Sequence, residues 1–262
     1  LGGHFDLKGE KLSVNIAKAG ATFPSGRVVN VEGGTFGIGA TYTKPLMADL
    51  DIKVTGKADA IAELASAKPV NGLRGTGLEV GDFSGKATAN VQARFGLISD
   101  QNPPKTVFKA QVALDDVDLA RPMEGHKITG VDGKLDINPQ SARLQAKGQI
   151  DSVPAEIMLV EPVDKASPIK RERLITASLN NDQREKLVPG LSDIIDGTVT
   201  VELSRIDDKR QGVELDLGKA ALSSPYVGWT KGGGIPAKAS FEFSKTDSRT
   251  DIEKFVLDGD GF

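Results

Sequence analysis

Apolar and polar residues alternate with a period of two along most of the chain. Leu12, Val14 and Ile16 alternate with Ser13, Asn15 and Ala17, and Leu50, Ile52 and Val54 with Asp49, Asp51 and Lys53. Ala87, Ala89, Val91, Ala93 and Phe95 follow, then Phe108, Ala110, Val112 and Leu114. The pattern continues through Leu135 and Ile137, through Ala142, Leu144 and Ala146, and through Val153, Ala155, Ile157 and Leu159. It runs on through Val199, Val201 and Leu203, through Val213, Leu215 and Leu217, and ends with Phe241, Phe243, Phe255 and Leu257. Such alternation puts the apolar set on one face of each strand, which predicts an all-β, antiparallel fold with minor α content. Two stretches break the period. Lys57–Ala67 is rich in Ala, Glu and Leu and stops before Pro69, and Asn181–Leu187 starts on good capping residues and stops before Pro189-Gly190. Both predict short helices. Leu217–Ser223 is a third helical candidate, too short to assign.

A weak internal repeat runs through the strands. Val31–Ile38, Phe83–Ala89, Val131–Ile137 and Ile195–Val201 each carry a glycine just ahead of an alternating stretch, at steps of 52, 48 and 64 residues. Each step leaves room for several strands, and Asp-Gly ahead of a strand is a hairpin-turn signal. The polar loop Ser99–Lys105, with its Pro pair, is the best internal boundary. It separates a segment 1–100, with the helix near 57–67, from a segment 105–262, the two read as one continuous module. The chain opens on Leu1 and stops within an alternating stretch, so a piece of a longer protein is expected. Exposed edges of such an array predict concentration-dependent self-association.

The chain has 262 residues with 39% hydrophobic content, enough for a sizeable core. A net charge of −3 and a pI near 5.6 provide no field for a polyanion. Aromatic residues, at 5%, are too few for a nucleic-acid stacking platform, and they disfavour a sugar-binding enzyme, so no nucleic-acid partner is expected. The absence of cysteine removes disulfides, thiolate metal sites and cysteine nucleophiles, and suits an exported chain as well as a cytosolic one. No apolar run approaches the roughly 20 residues of a membrane helix.

Candidate chemistry is sparse. His4 and His126 are the two histidines; His126 sits in the polar turn Glu124-Gly-His-Lys127, with no nucleophile elbow anywhere. Asp115, Asp116 and Asp118 lack the glycine and terminal glutamate of a calcium loop and read as surface acids, as do Asp258 and Asp260. Trp229–Pro236 sets Lys231 beside three glycines but lacks phosphate-loop spacing, and reads as a glycine-rich bend between strands. Val160–Arg173 carries two prolines and a short basic run, a solvated loop or a contact for phospholipid headgroups. No enzyme, metal or cofactor is expected. Many inward positions are Ala or Gly, so the apolar face suits an open groove filled by a ligand with its own hydrocarbon. Strands of five to eight residues span about 17–26 Å, comparable to an extended acyl chain.

Several stretches carry a family resemblance. Asp116–Pro122 (DVDLARP), Val131–Ile137 (VDGKLDI), Ala142–Ile150 (ARLQAKGQI) and Val153–Ile157 (VPAEI) resemble AsmA-like repeats. Leu187–Gly197 is similar to the YhdP branch of that superfamily, and so are Ala220-Ala-Leu, Gly228–Pro236 and Leu257–Phe262. The likeness covers about 116–262. It implies a taco-like groove or incomplete barrel of repeated β units in an elongated, twisted sheet. It further implies a periplasmic envelope protein of Gram-negative bacteria, anchored in the inner membrane by a helix outside this chain. Such a protein holds phospholipid acyl chains and carries them toward the outer membrane, with adjacent repeats of the same protein as neighbours. The family has no catalytic residues to carry over. Its groove lining maps onto Leu135, Ile137, Leu144, Ile150, Val153, Ile157, Leu159, Val199, Val201, Leu203, Val213, Leu215, Phe241 and Phe243. Two rivals remain: a closed β-sandwich spacer without ligand, and a carbohydrate-active β enzyme with two facing carboxylates.

Overall fold

The computed structural model describes residues 2–67, 72–164, 166–224, 228–245 and 249–259. The first half holds β1 (Gly2–Lys8), β2 (Lys11–Thr22), β3 (Val28–Ile38), β4 (Met47–Lys57), α1 (Ala58–Ser66), β5 (Phe83–Gly96), β6 (Val107–Leu119) and β7 (Ile128–Ile137). After these come β8 (Ser141–Ile150), β9 (Val153–Pro162), β10 (Glu172–Leu179), α2 (Asn181–Leu187), β11 (Ile195–Gly197) and β12 (Val199–Arg205). The last are β13 (Arg210–Asp216), β14 (Ala220–Ser224), β15 (Trp229–Lys231), β16 (Ala237–Lys245) and β17 (Thr250–Gly259). Fourteen strands form one antiparallel sheet in chain order, β1 to β10, then β12, β13, β16 and β17. The sheet is not closed into a barrel: among the described residues β1 and β17 each have a single strand neighbour. The strands β11, β14 and β15 make a second, three-stranded sheet. The all-β expectation holds. By compactness the chain divides into residues 1–146 with 160–170, and residues 147–159 with 171–262. The loop Ser99–Lys105, expected as a boundary, joins β5 to β6 inside the first unit and holds a 3-10 turn at Ser99–Gln101.

In the first unit, α1 lies on the apolar face of the sheet. Ala58, Ala60, Ile61 and Ala62 are its buried residues, and Ala60 and Ile61 form a core with Val29, Val54, Ala87 and Ala89. Small helix residues let the helix axis approach the sheet closely, and Ala, Leu and Glu keep it helical. Arg27, just before β3, clasps the other side of the helix: its Nε donates to Asp59 at 2.8 Å and its Nη1 to Glu63 at 3.2 Å. These two carboxylates raise the guanidinium pKa further, the Asp59 hydrogen bond most. Ser25 Oγ donates to Glu63 at 2.6 Å.

The glycines of the repeat lie within strands, not in the hairpin turns that the Asp-Gly signal predicts. A β carbon on Gly133, mid-β7, would sit 2.4 Å from the Gln145 carbonyl oxygen and 2.5 Å from Ala146 Cβ. Gly85 has φ +93°, and a β carbon there would sit 2.1 Å from the Asp116 carbonyl oxygen, beside the β5–β6 bulge. Close backbone approach, rather than chain reversal, is what these positions demand. Of the acids at 115–118, Asp118 satisfies a backbone amide, its Oδ1 accepting from Gly130 N at 2.7 Å, while the amide of Asp116 donates to Asp132 Oδ1 at 2.9 Å.

In the second unit, the small sheet plays the part that α1 plays in the first. Ala220 and Leu222 of β14, with Leu217, pack on Val199, Ala237 and Ala239, flanked by Ile195 and Trp229. Leu217–Ser223, the third helical candidate, is therefore largely the strand β14, because its alternating Ala220 and Leu222 face the core. The helix α2 forms as expected, held by a reciprocal capping box between Asn180 and Gln183 at 2.9 Å in both directions. The β12–β13 turn is fixed by Asp207, whose carboxyl is held down at about 2 by the backbone amides of Lys209 and Arg210 and by the Arg210 side chain.

Candidate functional site

Cross-strand register turns the alternating pattern into continuous apolar rows. In the first unit, Val14, Phe36, Leu50, Ala93 and Phe108 stand opposite one another across β2 to β6. The next row is Ile16, Gly34, Ile52, Val91, Ala110 and Ile137, reaching β7. A third, Val31, Val54, Ala89, Val112 and Leu135, runs toward α1. Six strands about 4.8 Å apart make a row of about 24 Å. Helix α1 buries Val54 and Ala89 to 1% and 3% exposure. Ile52 and Val91 pack against the core beneath the helix, and away from it Val14, Phe36, Leu50 and Phe108 remain only half-buried. The apolar face is thus sealed at one end and partly open beyond it.

The opposite face is polar and cross-linked. Gln92 Nε2 donates to Asp51 at 2.9 Å, Gln111 Nε2 to Asp136 at 2.8 Å, and Lys53 pairs with Glu32 at 2.8 Å. Exposed pairs of this kind add about 0–1 kcal/mol each. Their effect is to keep that face in water and fix the register, leaving the apolar face as the one with surface to cover.

The second unit repeats the arrangement. Ile175, Leu203, Val213 and Phe241 form one row, and Ala177, Val201, Leu215, Ala239 and Leu257 another. Phe241 stacks on Phe255 with centroids 6.3 Å apart. The row beyond is mixed, Arg205, Gln211, Phe243 and Ile252, so polar groups enter the face there.

Leu135, Ile137 and Leu144 lie on the apolar side of the first unit, where Leu144 packs with the core of Val117, Val131 and Ala146. Ile150, Val153, Ile157 and Leu159 fall in the second unit, with Ile157 buried at 7%. Val201, Leu203, Leu215 and Phe241 are half-buried on the second unit's apolar rows, and Phe243, also half-buried, lies on the mixed row beyond them. Val199, at 1%, and Val213, at 7%, are core residues, with Val199 under the small sheet. Of the first unit's rows only Leu135 and Ile137 were in that set; Phe36, Leu50, Ile52, Val91 and Phe108 were outside it. Their signal was the alternation at 50–54, 87–95 and 108–114.

Two buried cations hold the cover of the second unit in place. The Lys231 ammonium, on a side chain 4% exposed, donates to the carbonyls of Ala220 at 2.6 Å, Leu217 at 2.9 Å and Gly232 at 3.2 Å. The Arg184 guanidinium, 3% exposed, donates to the carbonyls of Ile195 at 2.7 Å, Leu179 at 3.2 Å and Gly197, and to Asn181 Oδ1 at 2.7 Å. Lys231 thus sits inside the Trp229–Pro236 bend as a carbonyl anchor, its donors used up by the backbone.

Two shallow pockets, of about 340 and 490 Å³, are lined by Asp6, Lys8, Lys11 and Leu12 and by Ser25, Arg27, Lys57 and Asp59 among others. Neither lining contains a histidine. His4 is exposed on β1 opposite Asn15, and His126 forms an isolated bridge with Met123. Among the described residues no group of three or more His, Asp or Glu is placed to hold a metal ion. No helix among them is long and apolar enough to cross a membrane. Asp260 and the end of the Leu257–Phe262 motif lie outside the described residues. Comparison with family models, with curated proteins and with solved structures finds no match for this chain.

Proposed function

We propose that this chain is a non-catalytic, lipid-holding β segment, whose apolar sheet faces take phospholipid acyl chains along their half-open rows. The observation that carries this reading is the contrast between the two faces of one sheet. One face is cross-linked and wet, and the other is a set of aliphatic and Phe rows left partly open beyond α1 and beyond the small sheet. Each square ångström of that surface covered by hydrocarbon gains about 25 cal/mol. Small residues in the half-open rows, such as Gly34, Ala93 and Ala110, leave relief between the larger side chains into which a flexible chain fits. The absence of a flat aromatic platform suits alkyl chains better than sugars or bases. The resemblance to AsmA-like proteins of the YhdP type supports a periplasmic bridge. In it, neighbouring repeats and an inner-membrane anchor outside this chain complete a path for phospholipid between membranes.

Native mass spectrometry of the purified 262-residue chain, run beside lipid extraction, tests the reading. Co-purifying phospholipid is expected, reduced in Leu203→Asp, which is half-buried on the row and outside the core cluster. A ligand-free chain that also ignores added phospholipid vesicles would overturn the proposal and leave a structural spacer.

A further inference from the structure

Along β12 the apolar face of the second unit changes character in chain order. Val199 lies buried under the small sheet, Val201 and Leu203 are half-buried on the rows, and Arg205 follows on the same side. Six residues of strand carry these environments across about 20 Å. The register sets Arg205 opposite Gln211, and Gln211 opposite Phe243. On β10 Leu174 stands opposite Ser204, so the same register continued by one residue brings Arg173 opposite Arg205. Arg173, Arg205 and Gln211 are all half-buried. At the end away from their cover, the aliphatic rows thus run out into two guanidiniums and an amide.

The surroundings are cationic too. Arg171–Arg173 and the hairpin Arg205–Arg210 lie side by side at this end, and hold five cations against three acids in a chain of net charge −3. Asp207 is taken up by its own turn, through the amides of Lys209 and Arg210 and the Arg210 side chain. Arg205 pairs with Asp208, whose carboxylate is 86% exposed against 21% for the Arg205 side chain. A carboxylate held from the solvent side competes weakly, whereas a guanidinium offers a phosphate a two-pronged fork. Two guanidiniums opposed across neighbouring strands repel each other, and an anion seated between them removes that repulsion.

We propose that this row is a headgroup site, where Arg205 and Arg173 hold the phosphate of an anionic phospholipid whose acyl chains lie on the rows toward the small sheet. The site rests on the lipid-holding function proposed above and names its lipid class, a glycerophospholipid whose head carries a net negative charge. Gln211 both donates and accepts, which suits the ester oxygens between phosphate and chains. A zwitterionic choline head gains less, because its ammonium meets the same cations.

The test offers the chain phosphatidylglycerol and phosphatidylcholine with identical acyl chains, in equal amounts, and counts each by native mass spectrometry. A preference for phosphatidylglycerol of about tenfold is expected, the size of one charge-assisted hydrogen bond. Arg205→Gln should bring the ratio close to one, Arg205→Lys should keep part of the preference, and Arg173→Gln should lower it. Lys238→Gln makes the same charge change at an exposed position on β16, near the covered end, and should leave the ratio as in the parent. Glycerol 3-phosphate, which carries the phosphate without the chains, should not displace the lipid at equal concentration. Equal binding of the two lipids, a preference unmoved by Arg205→Gln, or one lost equally in Lys238→Gln would overturn the headgroup site and leave the acyl-chain rows standing. Displacement by glycerol 3-phosphate would overturn it in favour of a free phosphate ester. Binding of neither lipid would overturn the headgroup site and the lipid-holding function together.

Discussion

Replacing Lys231 by methionine keeps most of the aliphatic stem and removes the ammonium from the carbonyls of Leu217, Ala220 and Gly232. Those oxygens belong to the turn into β14 and to the glycine bend, which water reaches poorly at a site 4% exposed. An expected loss of about 2–3 kcal/mol follows, read as a lower urea midpoint at unchanged slope. Lys238→Met, at an exposed position on β16, is expected to stay within about 0.5 kcal/mol of the parent. Equal midpoints for the two variants would remove the anchoring role. At this scale the sequence was only partly readable. Lys231 beside three glycines signalled an unusual bend, but lysine is normally a surface residue. Its burial follows from β14 and β15 pairing over the sheet, which no local spacing encodes. Arg184 was hidden in the same way, inside a helix whose polar composition reads as solvated.

Helix α1 and the small sheet are different elements doing the same work, each closing one end of an apolar face. For α1 the decisive contact is Ile61, 6% exposed among Val29, Val54, Ala87 and Ala89. Ile61→Ala is expected to cost about 2–5 kcal/mol, measured by urea unfolding, and to raise the binding of a fluorescent apolar dye by opening the covered rows. A change below about 0.5 kcal/mol would mean that the helix rests on the sheet without sealing it. Element boundaries explain what sequence reading captured. The run of Ala, Glu and Leu placed α1 within one residue at each end, and the capping residues opening Asn181–Leu187, with Pro189-Gly190 after it, placed α2. The strand β14 was missed because Leu217–Ser223 is short and alanine-rich, and only its docking on Val199 and Ala239 decides for strand. The Asp-Gly pairs misled for a related reason. A glycine required by close approach of a neighbouring backbone looks, in sequence, identical to one required by a turn.

The whole molecule extends the candidate site beyond the residues that sequence singled out. Alternation made the array of strands legible, because a one-face core imposes period two wherever the sheet runs. The groove lining was placed only from Leu135 onward, where the family resemblance is strongest. Register shows equivalent rows in the first unit, centred on Leu50 and Phe108. Each unit has its own cover, its own core and its own half-open rows, so two separate places for hydrocarbon are expected in one chain. Leu50→Asp and Leu203→Asp each put a carboxylate on one row, at half-buried positions outside the core clusters. Each single variant should lower the phospholipid bound per chain without abolishing it, and the double variant should remove nearly all, because distant sites contribute additively. Native mass spectrometry counts the bound lipids directly. If Leu50→Asp leaves the count unchanged while Leu203→Asp empties the chain, the second unit alone holds lipid. The first unit's rows would then be a face covered by something other than an acyl chain.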